Sequence, residues 1–150
     1  MTTQDTALER FKQEYSCSQS VFSALAERWN LGPEISLRVS AGFGGGIAAT
    51  AQTCGCVTGA IMALGMSQNG IGPEENRGEK QRIYGLGRQF LREFQERNGS
   101  TICAGLLGCN ISTPEGLAKA RQEGVIRERC PKFVRDAVEI VESLLPAIAR

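Results

Sequence analysis

Histidine is absent from all 150 residues. Without imidazole there is no Ser-His-Asp or Cys-His nucleophile, no histidine metal ligand and no ordinary base for neutral pH. A surplus of one charge is also missing, since 17 lysines and arginines face 16 aspartates and glutamates, a formal net charge of +1. Such a balance does not gather a phosphate backbone, so nucleic acid is not an expected partner. Long apolar runs are lacking: none approaches the roughly 18 residues that a bilayer crossing requires. Met1 to Gln13 is polar and charged, with no apolar stretch ahead of a small-residue cleavage site. The expectation is a cytoplasmic protein that is not membrane-embedded. The density of a disulfide scaffold is missing as well, because six cysteines in 150 residues fall short of the roughly 8–10% of a stapled secreted chain. A reducing cytosol keeps such cysteines as thiols.

What the sequence has in quantity is helical periodicity. Leu8, Phe11 and Tyr15, then Val21, Leu25 and Trp29, then Ile83, Leu86, Phe90 and Phe94 each recur at the spacing of one buried stripe. Val134, Val138, Val141 and Leu145 make another, with Lys132, Arg135, Glu139 and Glu142 opposite and Pro131 read as the first helical residue. Thr113, Pro114 and Glu115 read as a cap, a first-turn proline and a first-turn acid, and Gly124 as the stop. Gly42, Gly44, Gly45 and Gly46 weaken any helix across Arg38 to Gln52, which is therefore a loop. Beyond it Thr53 caps a helix through Leu64, whose Gly59, Ala60 and Ala63 leave a thin face for close backbone approach or for association into a homodimer. A second break falls at Asn69 to Pro73. With no alternating strand, repeat or dividing linker, the fold class is all-α. A single domain over residues 1–150 is expected, a bundle of about six to eight helices with a glycine-rich loop before the central one.

Several cysteines fall at predicted helix starts, where unpaired N–H groups and the helix dipole favour a thiolate. Cys54 and Cys56 follow Thr53 in the first turn, Cys103 comes three residues after Ser100, read as the cap of a short helix running to Leu107, and Cys17 opens the face of Val21 and Leu25. Cys130 precedes Pro131 and reads as a helix cap, with Arg127, Arg129 and Lys132 beside it to stabilise a sulfur anion. Cys109 follows Gly108 in a turn. A lone buried cysteine is usually a small hydrophobe, but a concentration at helix starts points to sulfur chemistry. Gly44, Gly46 and Ala49 meet a relaxed dinucleotide fingerprint without the strand that motif needs, so no nucleotide cofactor is expected. The Arg82, Arg88, Arg92 and Arg97 series is interleaved with Glu79, Glu93 and Glu96 and reads as a solvated face.

Cys17, the run Cys54-Gly55-Cys56-Val57-Thr58-Gly59, Cys103 and Cys130 together resemble the redox-active protein family called C-GCAxxG-C-C. Its core of Cys-Gly-Ala-x-x-Gly matches at Cys54, Gly55 and Gly59, and the glycine run from Gly42 to Gly46 and the Leu106-Leu107-Gly108 stretch are similar too. The resemblance implies that the family's four cysteines are Cys17, Cys54, Cys103 and Cys130 here. The chain departs from the pattern where Cys56 replaces the alanine and where Cys109 is added.

Three readings follow. In the first, Cys17, Cys54, Cys103 and Cys130, drawn from the six-cysteine set that includes Cys56 and Cys109, hold an iron–sulfur cluster or other metal for electron transfer with a redox partner protein. In the second, a metal-free dithiol works at Cys54 and Cys56 as catalytic pair, Cys56 resolving. In the third, zinc fixes the fold of an interaction module. An oxidoreductase or electron carrier fits the first two, and no hydrolase or transferase signature is present.

Overall fold

Within residues 1–146, which the computed structural model describes, the chain passes through eight α-helices. They are α1 (Thr3–Lys12), α2 (Cys17–Ala26), α3 (Pro33–Ser40), α4 (Gly55–Gly65), α5 (Pro73–Asn98), α6 (Cys103–Leu107), α7 (Pro114–Gln122) and α8 (Val125–Leu144). Short 3-10 turns follow α2 and α3, at Glu27–Trp29 and Ala41–Phe43. The all-α, single-domain expectation holds among the described residues, and no helix there is long and apolar enough to cross a membrane.

The bundle is built around α2, which packs on α1, α3, α4 and α8. Its start is set by Ser16, whose hydroxyl accepts from Gln19 N while the Gln19 side chain accepts from Ser16 N. Such a capping box is worth about 1 kcal/mol. Val21, Phe22, Ala24 and Leu25 are buried, and so are Ser18, Ser20 and Ser23. A helix hidden on every face must satisfy its polar groups internally. Ser18 Oγ donates to Ser40 O at 2.9 Å, and Ser23 Oγ accepts from Arg10 Nη1 at 2.9 Å.

The closest helix contact is made by glycines. A Cβ on Gly55 would lie 2.9 Å from Ser18 N and 3.2 Å from Cys17 Cβ, and one on Gly59 would lie 2.9 Å from Ser18 O. Four residues apart, the two share one face of α4. The core motif at Gly55 and Gly59 is thus the device that lets α4 lie backbone to backbone against α2.

One expectation needs correction, and another is met in an unexpected form. First, α8 starts at Val125, after Gly124 in the left-handed conformation, so Cys130 is not a cap and Pro131 lies inside the helix. Proline there removes the bond that its N–H would make to the carbonyl of Arg127. Burial of Val134, Ala137, Val138 and Val141, each fully enclosed, holds the helix together across that gap. Second, the expected glycine-rich loop before α4 is present, and it is tightly wound. Gly45, Gly46, Ile47, Ala48 and Ala49 in succession, and Ala51, have positive φ of 50° to 75°. Hydrogen bonds from Ala48 N to Gly42 O, Ala49 N to Gly44 O and Gln52 N to Gly46 O close this left-handed turn. Each non-glycine residue in that conformation costs about 1–2 kcal/mol, so the surrounding structure must hold it.

Candidate functional site

The turn ends against the segment carrying Cys103. Cys54 N donates to Thr101 O at 2.9 Å and Cys103 N to Gln52 O at 2.6 Å, with Thr53 and Ile102 forming an isolated antiparallel bridge. Two cysteines nearly 50 residues apart are thereby fixed side by side through their own backbone. Gly46 must lack a side chain here, since a Cβ would stand 2.7 Å from Cys103 Cβ. Cys54, not Thr53, is the cap residue of α4, and the cap of α6 is Ile102, not Ser100, so that Cys103 is the first residue of that helix.

Cys17, as the first residue of α2, is held over Gly55 by the glycine contact. Cys130 arrives from α8. These four cysteines, with Gly45, Gly46 and Gly55, line one cavity of about 1030 Å³. Cys54, Cys103 and Cys130 are buried and Cys17 half-buried. Cys56 is wholly enclosed behind the wall, in hydrogen-bonding reach of both Cys17 and Cys54. Cys109, beyond the left-handed Gly108, is half-buried and not among the residues lining the cavity.

The shifted thiols are not shifted alike. Cys17 is held well below the ordinary thiol range, first by the neighbouring Cys130 thiol and then by the Cys56 thiol. A helix start acts in the same direction. Cys130 is pushed up by that same contact with Cys17, then by burial. Burial pushes Cys56 well up, reinforced by its contacts with Cys17 and Cys54. Burial and the neighbouring Cys54, Cys17 and Cys109 sulfurs push Cys103 up to about 12. Of the sulfurs that the sequence marked for a thiolate, Cys56 and Cys130 are shifted away from that form and Cys17 toward it.

The cations expected around Cys130 are used elsewhere. Arg129 Nη1 donates to Leu106 O and Leu107 O at 3.3 and 3.1 Å, closing the C-terminus of α6. Lys132 pairs with Asp136 at 2.7 Å. Arg127 alone of the three lines the cavity. Sequence reasoning missed Lys12 and Arg121, which join it there. Their only signal was a position in the last turn of α1 and of α7.

Among the described residues no group of three or more Cys, Asp or Glu side chains forms a ready-made cage for a single metal ion. The donor set that lines the cavity is nevertheless all sulfur at its four family positions. That chemistry fits soft metals bound by thiolate and not magnesium or calcium.

Comparison with known proteins adds two likenesses. The model of the family described as "Putative redox-active protein (C_GCAxxG_C_C)" matches residues 15–144. A protein of Archaeoglobus fulgidus, described as uncharacterized, is 30% identical over 145 residues, spanning 93% of this chain and 90% of its own. No solved structure matches.

Proposed function

The chain belongs to the C-GCAxxG-C-C family of redox-active proteins, and from that premise we propose that Cys17, Cys54, Cys103 and Cys130 bind an iron–sulfur cluster and that the protein transfers electrons. The observation that carries the reading is the convergence of these four cysteines, from four separate helices or helix starts, on one cavity wall. Cys56 and Cys109, the two outside the family pattern, are also the two that do not line it.

A bound cluster would supply one-electron chemistry. The chain's own part is to hold the sulfurs and exclude water. Of the shifted thiols Cys17 gives up its proton most readily, and ligand thiols are deprotonated when metal binds. The buried Cys56 thiol remains a donor toward Cys17 and Cys54, the kind of hydrogen bond to a ligand sulfur that raises a cluster's potential. A cluster is favoured over a single zinc ion because zinc needs four sulfurs on one tetrahedron at about 2.3 Å from the metal. The sulfurs here do not form such a cage.

Single serine replacements test the assignment. Cys17→Ser, Cys54→Ser, Cys103→Ser and Cys130→Ser each should lower bound iron severalfold, while Cys109→Ser leaves it intact. Equal retention in all five would refute it.

A second reading is favoured by the contact between Cys17 and Cys130. In metal-free protein the Cys17 thiolate attacks a disulfide and releases one thiolate. Cys130, losing its proton, then displaces the second and leaves a Cys17–Cys130 disulfide. This places the working pair at Cys17 and Cys130 instead of Cys54 and Cys56.

A further inference from the structure

The cavity before the cysteines is larger than four sulfurs require, and the rest of its wall has a different chemistry. Its volume of about 1030 Å³ matches the upper end of the roughly 300–1,000 Å³ that pockets for small organic ligands span. Phe11, Leu106, Leu107, Ile111, Ile126 and Phe133 give it apolar sides. Its charged residues are Lys12, Arg121, Arg127 and a single carboxylate, Glu14, all exposed at the opening.

The three cations make no ion pair among the described residues, a state they share with most of the lysines and arginines there, and what sets them apart is their place together on one cavity wall. The N-terminus of α8 lies at the same opening, with Gly124, Ile126 and Arg127 on the wall. Its first-turn N–H groups have no partner within the helix and add positive potential. Apolar sides under an unpaired cationic rim select a ligand that is apolar in body and anionic at one end.

We propose that this cavity binds a small organic anion, a molecule with a ring-sized apolar body and a carboxylate or sulfonate group. The body lies between Phe11, Leu107 and Phe133, and the acid group meets Lys12, Arg121 and Arg127. The claim concerns binding and stands on the cavity and its cations. That such an anion serves as small-molecule partner of the cysteine site rests on the redox reading above.

The test uses the full-length protein as purified, titrated with the fluorescent anion anilinonaphthalene sulfonate and, in parallel, with phenylnaphthylamine, which has the same body and no sulfonate. Saturable binding of about one anion per chain is expected. It should weaken about tenfold or more in the Arg121→Glu, Arg127→Glu double variant, one factor of ten being about 1.4 kcal/mol. The uncharged probe should bind both proteins alike, and Leu107→Trp should weaken both probes. Absence of saturable binding, or equal anion affinity in the charge-reversed variant, would overturn the proposal. Iron and sulfide are measured on the same samples. Protein that binds the anion as expected but carries neither would sink the cluster reading and leave this one standing.

Discussion

Cys17 is the residue on which the sulfur site turns. It is the first residue of a capped helix, it lies beside the buried Cys130 and Cys56 thiols that lower it, and it is only half-buried. In metal-free protein at neutral pH, iodoacetamide should therefore alkylate Cys17 ahead of the other five cysteines, as read by peptide mass spectrometry. Cys130→Ala should slow that reaction severalfold by removing the thiol that lowers Cys17 most, and preferential labelling of Cys56 would contradict the account. Nothing in the sequence ranks the six thiols, because the ranking is decided by which sulfurs the fold brings together. Cys130 shows how a local rule fails. Proline is most at home in a first helical turn, so Pro131 drew the predicted helix start to itself, whereas the helix begins six residues earlier at Val125 and is carried past the proline by its buried valines.

Among the elements, α4 and its glycines carry the sharpest stability prediction. Alanine at Gly55 or Gly59 would place a Cβ 2.9 Å from backbone atoms of Ser18, and overpacking of this kind costs about 1–3 kcal/mol. Gly85 on α5 has nothing within 4 Å, so alanine there gains only the helix preference, about 0.5–1 kcal/mol. Thermal unfolding should show Gly55→Ala and Gly59→Ala melting several degrees below the parent and Gly85→Ala slightly above it. Equal shifts for all three would mean that the close α2–α4 contact is not formed. The connection between α4 and α5 supplies a pH test. Arg82 and the Asn69 N–H hold Glu79 down to about 2 from an ordinary 4.5. Its contribution is complete above 4.5 and is lost as the pH falls toward 2. The Asn69 amide resonance should titrate with a midpoint near 2 and not 4.5, and Glu79→Gln should abolish the titration. Helix number, the Thr113 cap and both breaks were legible in the sequence because they rest on periodicity and turn residues. The left-handed turn was not, since Ile47, Ala48 and Ala49 have no intrinsic preference for that conformation and adopt it under constraint from their surroundings.

At the scale of the whole molecule, the site is a product of the fold. Cys17, Cys54, Cys103 and Cys130 are spread over most of the chain at spacings that match no compact ligand run. They meet because a glycine contact joins α2 to α4, a two-bond bridge joins the ends of α4 and α6, and Arg129 ties α6 to α8. The resemblance to a family with four cysteines picked out the four that share the cavity. Neither spacing nor periodicity pointed to the cationic opening, whose three residues come from α1, α7 and α8. The central claim, that this wall of sulfur holds a cluster, is tested most directly by the absorption spectrum of protein purified without oxygen, together with iron, zinc and acid-labile sulfide analysis. The account predicts visible absorption bands with iron and sulfide in comparable amounts. A colourless protein without metal, its thiols freely titratable, would contradict it and leave exchange between Cys17 and Cys130 as the chemistry of the site.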